Sequence, residues 1–208
     1  MLKALALSTL VVSAASADLT DGGFEGNDVW GYGFITGGFD TPWRTTAPDN
    51  LIEIWSDGFL GVPAYEGVRF AELNANYAST LYQDINGLGD NNSVNWHFAH
   101  RGRYGTDVMK LTITDLGADQ NIGGGDDTVL FQQNFSAANT AWSVHYGTVT
   151  SVGNNTRFAF EAVSAVGGNT QGNLLDWCGF GTGVVIPAPG AIFLLGAAGA
   201  IMSRRRRQ

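Results

Sequence analysis

The chain has 208 residues, enough for one sizeable domain after short terminal segments are set aside. All 19 acidic side chains but only six of the 11 basic ones lie between Asp18 and Ile186, so that stretch carries 13 more acidic than basic groups. A surface of that sign repels nucleic acid phosphates, and a single cysteine, Cys178, excludes an intrachain disulfide.

In chain order, Lys3 precedes an apolar stretch from Ala4 to Val12, and Ala15-Ser16-Ala17 then supplies small residues at alternate positions. That is the three-part layout of a secretory signal peptide over residues 1–17, cut by signal peptidase. The apolar part is shorter than the roughly 20 residues a membrane span needs. The mature chain then begins near Asp18.

From there, glycine-rich turns such as Gly87-Leu88-Gly89-Asp90 and Gly123-Gly124-Gly125-Asp126 separate segments of period-two alternation. Val94, Trp96 and Phe98 form one apolar row, and Met109, Leu111 and Ile113 another. Further strands are expected at Leu51–Trp55, Val68–Asn74, Thr80–Ile85, Thr128–Gln133, Ala141–Val149 and Leu174–Cys178. Phe70 and Glu72 are expected to differ in facing, one of the two outward. No long helical pattern occurs. Nine or ten short strands over residues 18–183 predict an all-β fold, a two-sheet sandwich of jelly-roll type.

The tail, residues 184–208, contains Pro187-Ala188-Pro189, an apolar run from Gly190 to Met202, and Arg204 to Arg207. A basic cluster stays cytoplasmic, which places the main domain outside. This layout resembles the PEP-CTERM sorting signal, with Ala188 where the name-giving motif has glutamate. The resemblance implies a Gram-negative bacterium, transient inner-membrane anchoring through a C-terminal helix, and cleavage by an exosortase. It also implies an exopolysaccharide or biofilm setting at the cell surface or in the extracellular matrix.

The domain opens with Gly22-Gly23-Phe24-Glu25-Gly26 and closes with Gly172-Asn173-Leu174-Leu175-Asp176. Between them run Ile52-Glu53-Ile54-Trp55, Pro63-Ala64-Tyr65-Glu66-Gly67, Phe70-Ala71-Glu72-Leu73-Asn74 and His97-Phe98-Ala99-His100-Arg101-Gly102-Arg103. The series resembles galactose-binding-like β-sandwich domains. That resemblance implies a structural Ca2+ ion held by Glu25 and Asp176.

Read as chemistry, the central blocks supply a sugar site. Trp55 and Tyr65 are candidate rings for the C–H faces of a sugar. Glu53, Glu66, Arg101 and Arg103 are candidate partners for its hydroxyls. A competing assignment pairs the arginines with Glu53, Glu72 or Asp107 as internal braces and puts Trp55 in the core. Catalytic residues are not identified. The chain contains no Gly-x-Ser-x-Gly elbow and no metalloprotease helix motif. The leading expectation is a non-catalytic carbohydrate-binding module with polysaccharide as partner. The alternatives are a matrix protein without a specific ligand and a weak glycosidase or lyase.

Overall fold

The computed structural model describes residues 17–186. The expected signal peptide, up to residue 16, and the proline–arginine tail from residue 187 lie outside the described residues.

Two sheets pack face to face. One has six strands in the order β1 (Tyr32–Thr36), β3 (Leu51–Ser56), β4 (Arg69–Glu72), β11 (Leu174–Gly181), β6 (Ser93–Arg101) and β9 (Ser143–Thr150). The other has five, ordered β2 (Arg44–Thr45), β5 (Thr80–Asn86), β10 (Asn155–Ser164), β7 (Asp107–Asp115) and β8 (Thr128–Ala137). Every strand pair is antiparallel. The helical content of the described residues is one 3-10 turn, Phe59–Gly61. The fold is the expected two-sheet jelly-roll sandwich. It has eleven strands rather than nine or ten, because β1 lies in a glycine-broken stretch and β2 is only two residues long.

The alternation rows meet between the sheets. Trp96 and Phe98 from β6, Met109, Leu111 and Ile113 from β7, and Phe158 and Phe160 from β10 are buried in one cluster. Phe98 and Phe160 meet edge to face at 5.0 Å, and Phe158 stacks on Phe180 at 4.8 Å. Trp43 stacks on Phe24 at 5.2 Å, and its indole N–H donates to the Asp21 carbonyl at 2.8 Å. Fully burying side chains of this size is worth about 2 kcal/mol each. Phe70 and Glu72 share one face of β4, as a separation of two residues dictates. Both are buried, which corrects the expectation that one of them faces outward.

One end of the sandwich is held by buried polar groups. The Asp107 carboxylate accepts from the backbone N–H groups of Arg103 at 2.9 Å, Val166 at 2.8 Å and Asn173 at 3.1 Å. Asn173 sits at φ 55°, a left-handed conformation that asparagine tolerates. Its side chain joins Asn74 at 2.9 Å and the His100 ring at 3.1 Å. The loops after β4, β6 and β10 are thereby fixed to one another. Replacing Asp107 leaves three backbone donors, one buried and two partly buried, without their acceptor, each worth about 1–3 kcal/mol. Asp107→Ala is expected to lower unfolding free energy by at least about 3 kcal/mol, read from the urea midpoint at unchanged slope.

Candidate functional site

The six-stranded sheet is apolar on both faces at its centre. Ile52, Ile54 and Ala71 face the main core, while Trp55, Phe70 and Leu174 point the other way. A cover lies over this outer face: residues 57–68, the connection from β3 to β4. Val62, Phe59 and Ala64 from the cover, together with Trp142, close a second apolar cluster over it. Phe59 meets Trp55 edge to face at 4.8 Å, and the Trp142 indole donates to the Pro63 carbonyl at 2.8 Å.

Carboxylates pin the cover from below. Asp176 Oδ2 accepts from the Tyr65 and Glu66 amides at 2.8 and 3.2 Å. Glu25 Oε1 accepts from the Val68 and Arg69 amides at 2.7 and 2.8 Å. Burial raises the Asp176 carboxyl to about 7, with Glu66 repulsion adding to it and the backbone amides opposing it.

Beside the cover a cleft of about 450 Å³ stays open, lined by Tyr32 and Phe34 of β1, Glu53 of β3, Phe59, Leu60 and Arg103 among others. Tyr32 is 54% and Phe34 42% exposed. Glu53 and Arg103 are each held by buried partners. Trp55 Nε1 donates to Glu53 Oε1 at 2.8 Å. Arg103 Nη1 donates to both Glu72 oxygens at 3.0 and 2.9 Å, with its guanidinium over the Trp55 and Tyr104 rings at 4.7 and 4.9 Å. Glu53 and Glu72 face each other directly across β3 and β4. Burial, with Glu53 repulsion added, raises Glu72 to about 7 against the opposing pull of Arg103. Burial likewise raises Glu53. The result is a fixed acceptor and a fixed cation next to two open aromatic rings.

Phe59 also borders an adjoining hollow of about 670 Å³ that runs past Trp30, which is 96% exposed. Trp30, Tyr32 and Phe34 thus place an aromatic residue at every second position along this edge. A third hollow, of about 570 Å³ on the five-stranded sheet, is lined by Thr20, Arg44, Gln83 and Asp84 among others and has no aromatic ring on its walls.

The six residues proposed from sequence do not form one site. Glu53 and Arg103 come together in the cleft. Trp55 is fully buried, so its ring has no face open to a sugar; this corrects its assignment as a binding residue. Tyr65 and Glu66 lie on the cover beside Asp176, away from the cleft lining. Arg101 does not line the cleft and donates through Nη2 to the Asn139 carbonyl at 2.7 Å. Glu25 and Asp176, the pair expected to hold calcium, accept from backbone amides of one segment, residues 65–69. Among the described residues no group of three or more His, Cys, Asp or Glu side chains is placed to hold a metal ion. The reading from sequence missed Tyr32 and Phe34. Their signal was present, in the alternation Trp30-Gly31-Tyr32-Gly33-Phe34.

No protein-family model matches the chain, and no curated protein does. Solved structures do. A tandem of family 22 carbohydrate-binding modules from Paenibacillus barcinonensis Xyn10C is similar at 14% identity and a TM-score of 0.51, over 87% of this chain and 50% of the tandem. The C-terminal family 22 carbohydrate-binding module of Clostridium thermocellum Xyn10B is similar at 14% identity and 0.48, over 81% and 98%. TmCBM61, solved with β-1,4-galactotriose, is similar at 15% and 0.47, over 78% and 95%. At these identities the likeness is one of fold.

The raised carboxyls make stability depend on pH. Glu72 and Asp176 have ordinary values of 4.5 and 3.8 and sit near 7 in the folded protein. The folded state therefore binds more protons in that window, and their contribution is full below about 4 and lost as pH rises through about 7. The thermal midpoint is expected to fall between pH 5 and pH 8, and to fall less in Glu72→Gln and Asp176→Asn. Unchanged slopes in both variants would contradict the assignment.

Proposed function

We propose that the domain is a non-catalytic carbohydrate-binding module that holds a polysaccharide in the cleft beside β1. The observation that carries this reading is the pairing of open Tyr32 and Phe34 rings with Glu53 and Arg103, both locked by buried partners. Sugars present apolar C–H faces edged by hydroxyls. Rings take the faces, the Glu53 carboxylate accepts from hydroxyls, and the Arg103 guanidinium donates to ring or hydroxyl oxygens. The fold shared with carbohydrate-binding modules supports the reading. Glycoside hydrolysis uses two carboxyl groups flanking the scissile bond. The cleft is lined by a single carboxylate, Glu53, while the Glu72 side chain is fully buried under Arg103.

Purified residues 18–183 are expected to bind neutral β-1,4-linked galactan or xylan in affinity electrophoresis. Phe34→Ala and Arg103→Ala are each expected to weaken binding at least about tenfold, the equivalent of about 1.4 kcal/mol. Failure of the wild type to bind any neutral or acidic polysaccharide would remove the reading and favour a matrix protein without a specific ligand.

The calcium reading rests on the convergence of Glu25 and Asp176. Their oxygens are hard ligands of the kind calcium takes; Asp176 Oδ2 and Glu25 Oε1 each already accept two amides, while Asp176 Oδ1 accepts one and keeps a further lone pair. A bound cation would add positive charge where Glu66 is repelled by Glu25 and Asp176 by Glu66. Chelation is expected to lower the melting temperature of the wild type and to leave Asp176→Ala unmoved. An unchanged wild-type melt counts against the site.

The module is read as exported to the surface or matrix of a Gram-negative cell and linked there to exopolysaccharide or biofilm. Residues 1–17 act as the signal peptide cut by signal peptidase, and residues 184–208 as a PEP-CTERM-like signal read by an exosortase. One structural fact suits these boundaries: the ends of the sandwich meet, with Asp18 bridging Gly181 and accepting from the Gly183 amide at 3.0 Å. Deleting Arg204 to Arg207 is expected to cause mislocalisation, and normal surface display after the deletion would contradict the sorting role.

A further inference from the structure

On the far side of the cover from the cleft, the same sheet face carries a second set of rings. β11 contains a bulge: Asp176 pairs with Ala99 and Gly179 with His97, so Trp177 and Cys178 together oppose the single residue Phe98. Such an insertion re-aims a side chain. Cys178 keeps its place in the main core. Trp177, which regular alternation would also turn inward, is directed to the outer face. It does so at φ 51°, a conformation that bulky residues rarely adopt.

The surroundings hold that arrangement. The Trp177 amide donates to Asp176 Oδ1 at 2.6 Å, and the His97 Nδ1–H donates to the Trp177 carbonyl at 2.9 Å. The His97 and Trp177 rings lie 3.9 Å apart. Gly179 is what makes room: a Cβ there would fall 2.3 Å from His97 Nε2. Tyr65 reaches over from the cover, 5.3 Å from Trp177. Tyr146, 45% exposed, stands directly opposite His97 across β6 and β9. Strained conformations held by their surroundings collect at binding sites.

We propose that Tyr65, Trp177, His97 and Tyr146 form a second saccharide-binding face, separate from the cleft, that takes neutral rather than acidic glycans. The inference rests on the carbohydrate-binding reading of the domain. The rings offer stacking surface, and the polar rim supplies partners for hydroxyls. Asn95, next along β6, faces Thr148 with a hydrogen bond of 2.9 Å, and Glu66 is exposed beside Tyr65. Three carboxylates gather at this end of the face: a Cβ at Gly23 would fall 3.0 Å from Glu66 Oε1 and 3.6 Å from Glu25 Cγ, and the Glu66 amide donates to Asp176 Oδ2 at 3.2 Å. In the calcium-free protein they repel a uronic acid polymer. With residues 57–68 standing between the two faces, each face takes its own sugar chain. The domain is then a cross-linker of polymers.

Trisaccharides distinguish two faces from one long groove. Titration calorimetry in the presence of EDTA would use the neutral β-1,4-linked trisaccharides galactotriose, xylotriose and cellotriose, with trigalacturonate as the acidic arm. The expected wild-type result is two equivalents of a neutral triose and none of trigalacturonate. Phe34→Ala should retain one equivalent, and the exposed-ring pair Tyr65→Ala with Tyr146→Ala should retain the other. Each lost face should weaken at least about tenfold. These variants leave the strained Trp177 backbone in place, and a wild-type-like melt would confirm that they fold. One equivalent in the wild type, abolished by Phe34→Ala and untouched at Tyr65 and Tyr146, overturns the second face while leaving the cleft standing. Tighter binding of trigalacturonate overturns the selectivity. No binding of any triose overturns the inference, and a parallel failure on intact polysaccharides takes the functional reading with it.

Discussion

Trp55, Phe70 and Leu174 put large apolar side chains on the face of β3, β4 and β11 that points away from the main core. Left open, that face would be an exposed apolar patch of the kind that drives association. The connection from β3 to β4 covers it instead, and much of the outer surface follows from this. The cover needs backbone amides tied down at its C-terminal end, which Glu25 and Asp176 provide. It needs tight reversals at its start, which left-handed Gly58, Leu60 and Gly61 provide. Because it occupies the middle of the sheet, it leaves open ground only at the two sides.

The electrostatics on the two sides share one logic. A buried carboxylate is costly unless its oxygens are satisfied. Near the cleft, Glu72 is satisfied by Arg103 and fixes where the guanidinium sits. Under the cover, Asp176 is satisfied by three backbone amides and fixes where Tyr65 and Trp177 sit. Neither group needs to touch a ligand. Each determines the position of groups proposed to do so, and binding-site geometry of this kind depends on rigid supports.

The sandwich was legible because its core rows are long and clean. Val94, Trp96 and Phe98, or Met109, Leu111 and Ile113, can be satisfied only by a strand with one face inward. The second core was not legible. Trp55 alternates with Ile54 in the same way whether its outer face is wet or covered, and nothing local to residues 51–56 reveals that residues 57–68 fold back over them. That one event buries the ring proposed for sugar contact. It also separates Tyr65 and Glu66 from Glu53 and Arg103, which sequence proximity had grouped together. Tyr32 and Phe34 escaped notice for the opposite reason. Gly31 and Gly33 interrupt the apolar run that normally marks a strand, although glycine between outward-facing aromatics is compatible with an edge strand. The bulge at Trp177 is a register event between β11 and β6, and it left no mark in the order of residues.

Amide hydrogen exchange, with and without a saturating neutral β-1,4-linked polysaccharide, tests most directly whether ligand enters beside a fixed cover. The account predicts slow exchange at Tyr65 and Glu66 in the free protein, since their amides are bonded to the buried Asp176 carboxylate, and slowed exchange at Val68 and Arg69, whose amides are bonded to Glu25. It predicts added protection on glycan binding in residues 31–35, with the amides of Tyr65, Glu66, Val68 and Arg69, already slow, little changed. Fast exchange throughout residues 57–68 in the free protein, or ligand protection confined to the five-stranded sheet, would contradict it.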